Sequence, residues 1–285
     1  MKHPPEPKSE YYESQRLRMH YVVWEADSGK PPLLLVHGGR DHARNWDFVA
    51  AELLDRYTIY APDLRGHGDS AWAIGGMYSL PEFTLDVATL ANRIPGKLTV
   101  MGHSLGGGVA LQYAGTYPEK IEKLVSVEGW GPPDMRHVAA HNRMREWIDH
   151  MHNMEQRHPR QYRDIAEATK RMLEANPHLT PEMARHLTEH GARATADGTL
   201  VWKFDNYVRI MSPYEFNLED ARDIWAQITA PTLLIKGAES WALDPSADRL
   251  DAIRDRRSVV IKEAGHWVHH DRLEEFMGVV KGFLG

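Results

Sequence analysis

The chain has 285 residues, of which 42% are hydrophobic and 26% are charged, and its formal net charge is -6. This composition is typical of a globular protein with one or two domains and excludes a disordered, collagen-like or coiled-coil chain. The charges form no basic stripe that could follow a phosphate backbone, which argues against a nucleic-acid partner. The absence of cysteine excludes disulfides and thiolate chemistry.

The amino-terminal region lacks the apolar stretch of about 7 to 15 residues that a signal peptide contains. No run of roughly 18 apolar residues follows elsewhere in the sequence. We therefore expect neither secretion through a signal peptide nor a membrane-spanning segment, and the absence of cysteine suits a cytoplasmic location.

Apolar runs and helical patterns alternate along most of the chain. The run Leu33–Val36 ends at Gly38–Gly39 and is apolar throughout, which is typical of a strand buried on both faces of a parallel sheet. An edge strand or hairpin is predicted before it, at Arg16–Val23. Further strands are predicted at 57–60, 98–101, 121–127, 232–235 and 258–261, and helices at 45–54, 80–94, 106–117 and from about 271 onward. This alternation predicts an α/β fold with a doubly wound, mostly parallel sheet.

The alternation stops between Gly131 and Gln227, where the sequence has helical patterns and no β run. Helices are predicted there at 144–155, 162–173 and 181–190. We interpret residues 131–226 as an inserted helical cap over the carboxyl ends of the strands, with the core formed by residues 1–130 and 227–285.

The segment Gly102-His103-Ser104-Leu105-Gly106 matches the G-x-S-x-G pattern and lies between a predicted buried strand and a predicted helix. Glycine at both ends removes the Cβ atoms that would clash in a sharp strand-to-helix turn. Such a turn exposes its central hydroxyl at the edge of the sheet, so Ser104 is the candidate nucleophile.

With this motif in this position, the chain resembles the α/β-hydrolase superfamily over nearly its whole length. His37-Gly38-Gly39, after the first buried strand, is similar to the oxyanion loop of that family. The resemblance implies that the backbone N–H groups of Gly39 and Leu105 donate hydrogen bonds to a developing oxyanion.

The serine needs a base, and chain order in this family puts the histidine after the last strand. His266, in Ala264-Gly265-His266-Trp267, has that position. His269 and His270 compete for the role, but they fall at the start of the closing helix, where we expect their side chains to cover solvent or the helix face.

The acid departs from the commonest pattern of the family, because Ser240 stands where relatives usually carry an aspartate. Glu128 ends the strand that follows the nucleophile helix, and from there a carboxylate can also orient the histidine. This layout resembles some haloalkane dehalogenases, a mycotoxin lactonase family and serine hydrolase-like proteins. Glu128 is the preferred acid, with Asp244 and Glu239 as open alternatives.

Three tryptophans, Trp130, Trp241 and Trp267, lie within three residues of a candidate catalytic residue. As a group they predict an aromatic, mostly apolar substrate pocket under the cap, although a single tryptophan is more often a core residue.

One metal pattern occurs in the inserted segment, where His186-Leu187-Thr188-Glu189-His190 fits the H-x-x-E-H pattern of zinc peptidases. The segment is rich in histidine and marks no third ligand, so we attribute the match to chance. We predict no metal and no cofactor.

These residues predict a serine-dependent hydrolase that cleaves a small-molecule ester or lactone through an acyl-enzyme intermediate. Serine at position 104 argues against opening of haloalkanes and epoxides, because attack would leave an inert ether. Cleavage of amides, thioesters or carbon–carbon bonds would use the same residues. A ligand-binding signalling protein on the same fold, with slow turnover, is an alternative from another class, and the substrate and oligomeric state are left open.

Overall fold

A computed structural model describes residues 5–26, 29–214, 216–242 and 247–285. Within these residues the strands, in chain order, are β1 Lys8–Ser14, β2 Leu17–Trp24, β3 Pro32–Val36, β4 Thr58–Pro62, β5 Leu98–His103, β6 Ile121–Val127, β7 Ala192–Ala194, β8 Leu200–Trp202, β9 Thr232–Gly237 and β10 Arg256–Ile261.

The α-helices of the same described residues alternate with these strands and fill the segment between β6 and β9. They are α1 Asp47–Leu53, α2 Leu80–Ala91, α3 Leu105–Thr116, α4 Ala140–Glu155, α5 Ile165–Ala175, α6 Pro181–Gly191, α7 Leu218–Trp225, α8 Ala247–Leu250, α9 Val268–Asp271 and α10 Leu273–Leu284. In the part of the chain that is described, no helix combines the length and apolar character needed to cross a membrane.

Eight strands form one sheet in the order β1-β2-β4-β3-β5-β6-β9-β10. The pairs β1/β2 and β2/β4 are antiparallel, and the remaining pairs are parallel. The predicted α/β fold with a mostly parallel sheet is therefore confirmed. The strand β5, which ends just before the candidate nucleophile Ser104, lies near the middle, so its carboxyl end is flanked by loops from both neighbouring strands.

Both faces of the sheet are buried, as the continuous apolar run of β3 predicts. Leu34 and Val36 point into one hydrophobic cluster, which is completed by α2, α3 and α7. Leu33 and Leu35 point into a second cluster on the opposite face, with α1 and α10. Helices on both faces explain why the central strands have no polar alternation.

Two short features were not predicted. The strand β1 pairs with β2 over seven residues, but most of its side chains are exposed, so it carries no apolar signal. The predicted absence of β structure from residues 131–226 is wrong, because β7 and β8 form an antiparallel pair of three residues each. Strands of that length are too short for a period of two to be recognised.

The segment 131–226 contacts the core at several points. Nε2 of His42 donates a hydrogen bond to the carbonyl of Leu187 on α6 (3.0 Å), and the amide of Asp205 donates to the carbonyl of Gly66 (2.8 Å). The helix α7 buries Trp225 in the core cluster that also contains α2 and α3. The division into a core and a separate cap stays a prediction.

Candidate active site

Ser104 lies in the sharp turn between β5 and α3. Its backbone is strained, with φ 52° and ψ -116°, and its amide donates a hydrogen bond to the carbonyl of Val127 (2.8 Å). A Cβ atom at Gly102 would collide with the backbone of Gly106, and one at Gly106 would collide with the carbonyl of Val36. The two glycines are therefore required by close backbone packing, as the motif predicts.

His266 connects this hydroxyl to a carboxylate. Nε2 of His266 lies 2.9 Å from Oγ of Ser104, and Nδ1 lies 3.2 Å from Oε2 of Glu128. Because an ionised carboxylate can only accept, the proton of the neutral ring is on Nδ1, and Nε2 accepts from the serine hydroxyl. Hydroxyl, imidazole and carboxylate thus form one chain of hydrogen bonds.

Glu128 follows β6 and is 4% exposed, with a left-handed backbone at φ 56°. Its Oε1 accepts a hydrogen bond from the amide of Gly237 (2.6 Å), and its Oε2 accepts one from the hydroxyl of Ser240 (2.7 Å). One donor is the last residue of β9 and the other lies in the loop after it, so the neighbouring strand and its loop hold the carboxylate in place.

Of the two alternative acids, the structure describes only Glu239. Glu239 has a side chain that is 54% exposed and lies 3.6 Å from Nε2 of His178 rather than at His266. Asp244 lies outside the described residues, so the structure does not bear on it.

The two residues whose amides are predicted to form the oxyanion hole lie close together. Leu105 is the first residue of α3, where an N–H group has no acceptor inside the helix. Gly39 is close by, since a Cβ atom built on it would be 3.9 Å from Cδ2 of Leu105. The amino-terminal end of α3 also contributes a partial positive charge at this point.

His37 holds the loop that contains Gly39. Its Nδ1 donates to the carbonyl of Gly38 (2.6 Å), and its Nε2 accepts from the amide of Leu64 (3.0 Å). Burial lowers the pKa of His37, which keeps the ring neutral and allows it to donate on one side and accept on the other. His37 was predicted only as part of the loop motif, and this supporting role was not foreseen.

His103, the variable residue before the serine, was not recognised as a site residue. It is 1% exposed, and its Nε2 donates a hydrogen bond to the backbone carbonyl of His266 (2.8 Å). Burial, with a contribution from the nearby His266, lowers the pKa of His103 well below its usual value. His103 therefore fixes the backbone of the base without adding a charge beside it.

The expectation that His269 and His270 cover solvent or the helix face is wrong. They are 0% and 8% exposed, and their rings lie 4.0 Å apart between centroids. The ring of His269 also stacks on Trp46 at 4.7 Å. The short helix α9 turns both side chains toward the core, which a single sequence does not indicate.

The three tryptophans occupy different surroundings. Trp241 is 76% exposed, and its ring centroid lies 4.4 Å from that of His266. Trp130 is buried in the core cluster with Phe216, and Trp267 is half-buried against the hydrophobic cluster between α5 and α6. Of the three, Trp241 has a direct ring contact with the base; a common substrate pocket stays a prediction.

Two groups of side chains among the described residues have metal-ligand chemistry. In the first, the two oxygens of Asp63 already accept hydrogen bonds from the amides of Ala43 (2.7 Å) and Asp69 (2.8 Å) and contact His20 (2.6 Å), which indicates a structural role. The second group joins His186 and His190 to Asp47, not to Glu189.

The fold and this arrangement of hydroxyl, imidazole and carboxylate define the class of hydrolases built on a mostly parallel α/β sheet. The family model of the alpha/beta hydrolase fold matches residues 31–273 of the chain. The protein belongs to the α/β hydrolase family and is a hydrolase.

Several proteins are similar to it over most of their length. A serine hydrolase-like protein from Danio rerio is 26% identical over 275 residues, covering 92% of this chain and 83% of that protein. An esterase from Mycobacterium tuberculosis is 27% identical over 259 residues, covering 89% and 83%. The solved thioesterase domain from the curacin biosynthetic pathway has a TM-score of 0.85 at 22% identity and covers 98% of this chain and 100% of its own, which is a likeness of fold.

Proposed function

We propose that the protein is a serine hydrolase that cleaves a carboxylic ester or lactone through an acyl-enzyme intermediate. The observation that carries this proposal is the 2.9 Å contact between Oγ of Ser104 and Nε2 of His266, with Glu128 on the other side of the ring. A weak oxygen nucleophile is activated in this way when an adjacent base can take its proton.

In the first half of the reaction, Oγ of Ser104 bonds to the carbonyl carbon of the substrate, and its proton passes to Nε2 of His266. The carbonyl electrons move onto oxygen, where the amides of Gly39 and Leu105 stabilise the negative charge. The carbon–oxygen bond to the leaving alcohol then breaks, and that alcohol takes the proton from His266. In a lactone the alcohol stays attached to the acyl group.

In the second half, water attacks the acyl group on Ser104 and gives its proton to His266. Collapse of the second tetrahedral intermediate releases the carboxylic acid and returns the proton to Oγ. Glu128 keeps the ring in the tautomer that accepts at Nε2 and stabilises the imidazolium that forms in both halves. No cofactor enters these steps.

The esterase from Mycobacterium tuberculosis favours an ester as the bond that is cleaved. Amides, thioesters and activated carbon–carbon bonds remain substrates that the same groups could attack. A signalling protein with this fold would bind its ligand, become acylated once and release the product slowly.

Labelling and turnover test the proposal together. We expect a fluorophosphonate to add once to the wild-type protein, and p-nitrophenyl esters or a simple lactone to be turned over many times. Ser104→Ala should lower kcat by roughly 10³-fold or more, because nucleophile and base act as a unit. Ser258→Ala, an exposed serine on β10, is the control and should keep full activity.

An adduct of equal yield in Ser104→Ala, measured by intact mass, contradicts the choice of nucleophile. Release of about one equivalent of nitrophenol without further turnover supports the signalling alternative.

A further inference from the structure

A side-chain cluster separate from Ser104 lies where α6 of the inserted segment meets α1 of the core. His186 and His190 are four residues apart on α6 and share one face, with ring centroids 4.7 Å apart. Asp47, at the start of α1, faces them, and one ligand atom from each of the three residues lies within 4.8 Å of the other two. Two imidazoles and a carboxylate at this spacing are a donor set for zinc and related cations.

Buried nitrogens at this cluster lack hydrogen-bond partners among the described residues. Nε2 of His186 lies 3.1 Å from Oδ2 of Asp47 and has no other partner among the described residues. His270 is 8% exposed, neither of its ring nitrogens has a partner, and it interacts electrostatically with His186. Buried polar atoms are nearly always satisfied, so the unpartnered ring nitrogens of His270, next to His186, point to an occupant of this cluster.

The charges around Asp47 are compatible with a cation. Its side chain is fully buried, and Nε of Arg44 lies 2.8 Å from each of its oxygens. The charge of Arg44 is in turn compensated by Glu6, whose Oε1 lies 2.7 Å from the guanidinium. One arginine faces two carboxylates here, which leaves one formal negative charge beside the two histidines.

We propose that Asp47, His186 and His190 bind one transition-metal dication with the ligand preference of Zn²⁺, and that the ion links α6 to α1. Three protein ligands leave a coordination position for water. Glu189, the acid of the H-x-x-E-H pattern, takes no part, because it pairs with Arg185 on the outer side of α6 (2.8 Å). The ion would be structural, and this proposal does not depend on the function proposed for Ser104.

Direct binding to the full-length, metal-stripped protein tests the site. We expect Zn²⁺ to bind with one-to-one stoichiometry by calorimetry and Co²⁺ to give a visible absorption band from nitrogen and oxygen ligands. His190→Gln and Asp47→Asn should weaken binding by more than about tenfold. His141→Gln, an exposed histidine on α4, is the matched control, and His266→Gln should also bind normally, which separates this site from the catalytic base.

Thermal unfolding supplies the second readout. Zinc should raise the Tm of the wild-type protein and leave that of His190→Gln unchanged, because only a ligand of the folded state stabilises it. His190 is partly exposed, so this variant folds even if Asp47→Asn does not. Absence of saturation up to about 1 mM zinc, or equal binding by wild type and His190→Gln, overturns the proposal.

Discussion

In the loop after β9, the hydroxyl of Ser240 contacts the carboxylate of Glu128 from the neighbouring strand. Ser240 has the position that an acid usually takes in this family, and it donates a hydrogen bond to Oε2 of Glu128 (2.7 Å). The same oxygen lies 3.2 Å from Nδ1 of His266. The loop after β9 thus contributes a donor for the carboxylate instead of the carboxylate itself.

If Glu128 orients His266, Glu128→Gln should lower kcat by about 10²- to 10⁴-fold with little change in KM. The amide keeps the shape of the side chain but can favour the wrong tautomer of the ring. Steady-state kinetics on a p-nitrophenyl ester measure the effect. Glu239→Gln, which changes an exposed side chain, is the control and should stay within about tenfold of wild type.

Asp244→Asn belongs in the same series because Asp244 is the other alternative acid. If Asp244→Asn lowers kcat strongly while Glu128→Gln keeps the kcat of wild type, the assignment of the acid to Glu128 is wrong. Tm values within a few degrees of wild type are required for each variant, because the NH2 group of a glutamine cannot accept, so one of the two donors to Glu128, the amide of Gly237 or the hydroxyl of Ser240, loses its acceptor.

The sequence predicts site residues where chain order and local motif restrict the choice. Ser104 was predicted as the nucleophile from two glycines and the turn between strand and helix, and His266 was predicted as the base from its place after the last strand. His103 and the supporting role of His37 were missed, because His266 and Leu64 are 163 and 27 residues away from them and no periodicity marks a buried histidine as a hydrogen-bonding group.

On the scale of elements, a buried ion pair fastens the loop after β4 to α2. Nε of Arg65 lies 2.7 Å from Oδ2 of Asp86, and both side chains are 1% exposed. Glu82, one turn earlier on α2, lies 3.1 Å from the same guanidinium. The loop that contains Leu64, the donor to His37, is therefore anchored to α2.

Arg65→Met should lower the free energy of unfolding by about 3 to 5 kcal/mol, because it leaves the carboxylate of Asp86 buried without a partner. Urea unfolding followed by circular dichroism measures this change. Replacing both residues, in Arg65→Met with Asp86→Leu, should recover part of the loss. A double variant less stable than Arg65→Met would show that the unpaired charge is not the cause.

Elements were predictable where burial imposes a pattern. The run Leu33–Val36 indicated a strand with both faces covered, and its alternate residues do enter two different clusters. The pair β7 and β8 gave no signal, since three residues carry less than two periods of alternation. The inward turn of α9 follows from packing against Trp46, which local sequence does not encode.

For the whole molecule, the main consequence of the buried histidines is that the free energy of unfolding depends on pH. Burial lowers the pKa of His42, His67 and His270 to about 3, and it also lowers the pKa of His103 and His269. Between about pH 3 and the unfolded value of about 6.5, the unfolded chain binds more protons than the native state. Stability therefore rises with pH through this window and is lost as pH falls.

Asp41 has the opposite effect on the pH dependence of stability. Burial raises its pKa to about 7, although the amide of His42 and the side chains of Trp267 and Asn45 donate to it. Its unfolded pKa is about 3.9, so the native state binds the extra proton between about pH 4 and 7, and this contribution to stability falls as pH rises. Burial also raises the pKa of Asp271, and two such carboxyls oppose several histidines, so we expect the histidines to dominate near pH 5.

The contribution of one buried histidine to this pH dependence can be measured at His67, where a substitution breaks few hydrogen bonds. Its Nδ1 donates to the carbonyl of Arg65 (2.9 Å), and its Nε2 has no described partner. In His67→Asn the amide nitrogen can donate in place of Nδ1, and the titrating ring is removed. We expect urea midpoints to show that wild type loses stability between pH 7.5 and pH 5, and that the variant loses about 2 kcal/mol less. If the variant loses as much stability as wild type between these pH values, His67 gains no proton when the chain unfolds. If wild type is more stable at pH 5 than at pH 7.5, the carboxyls outweigh the histidines.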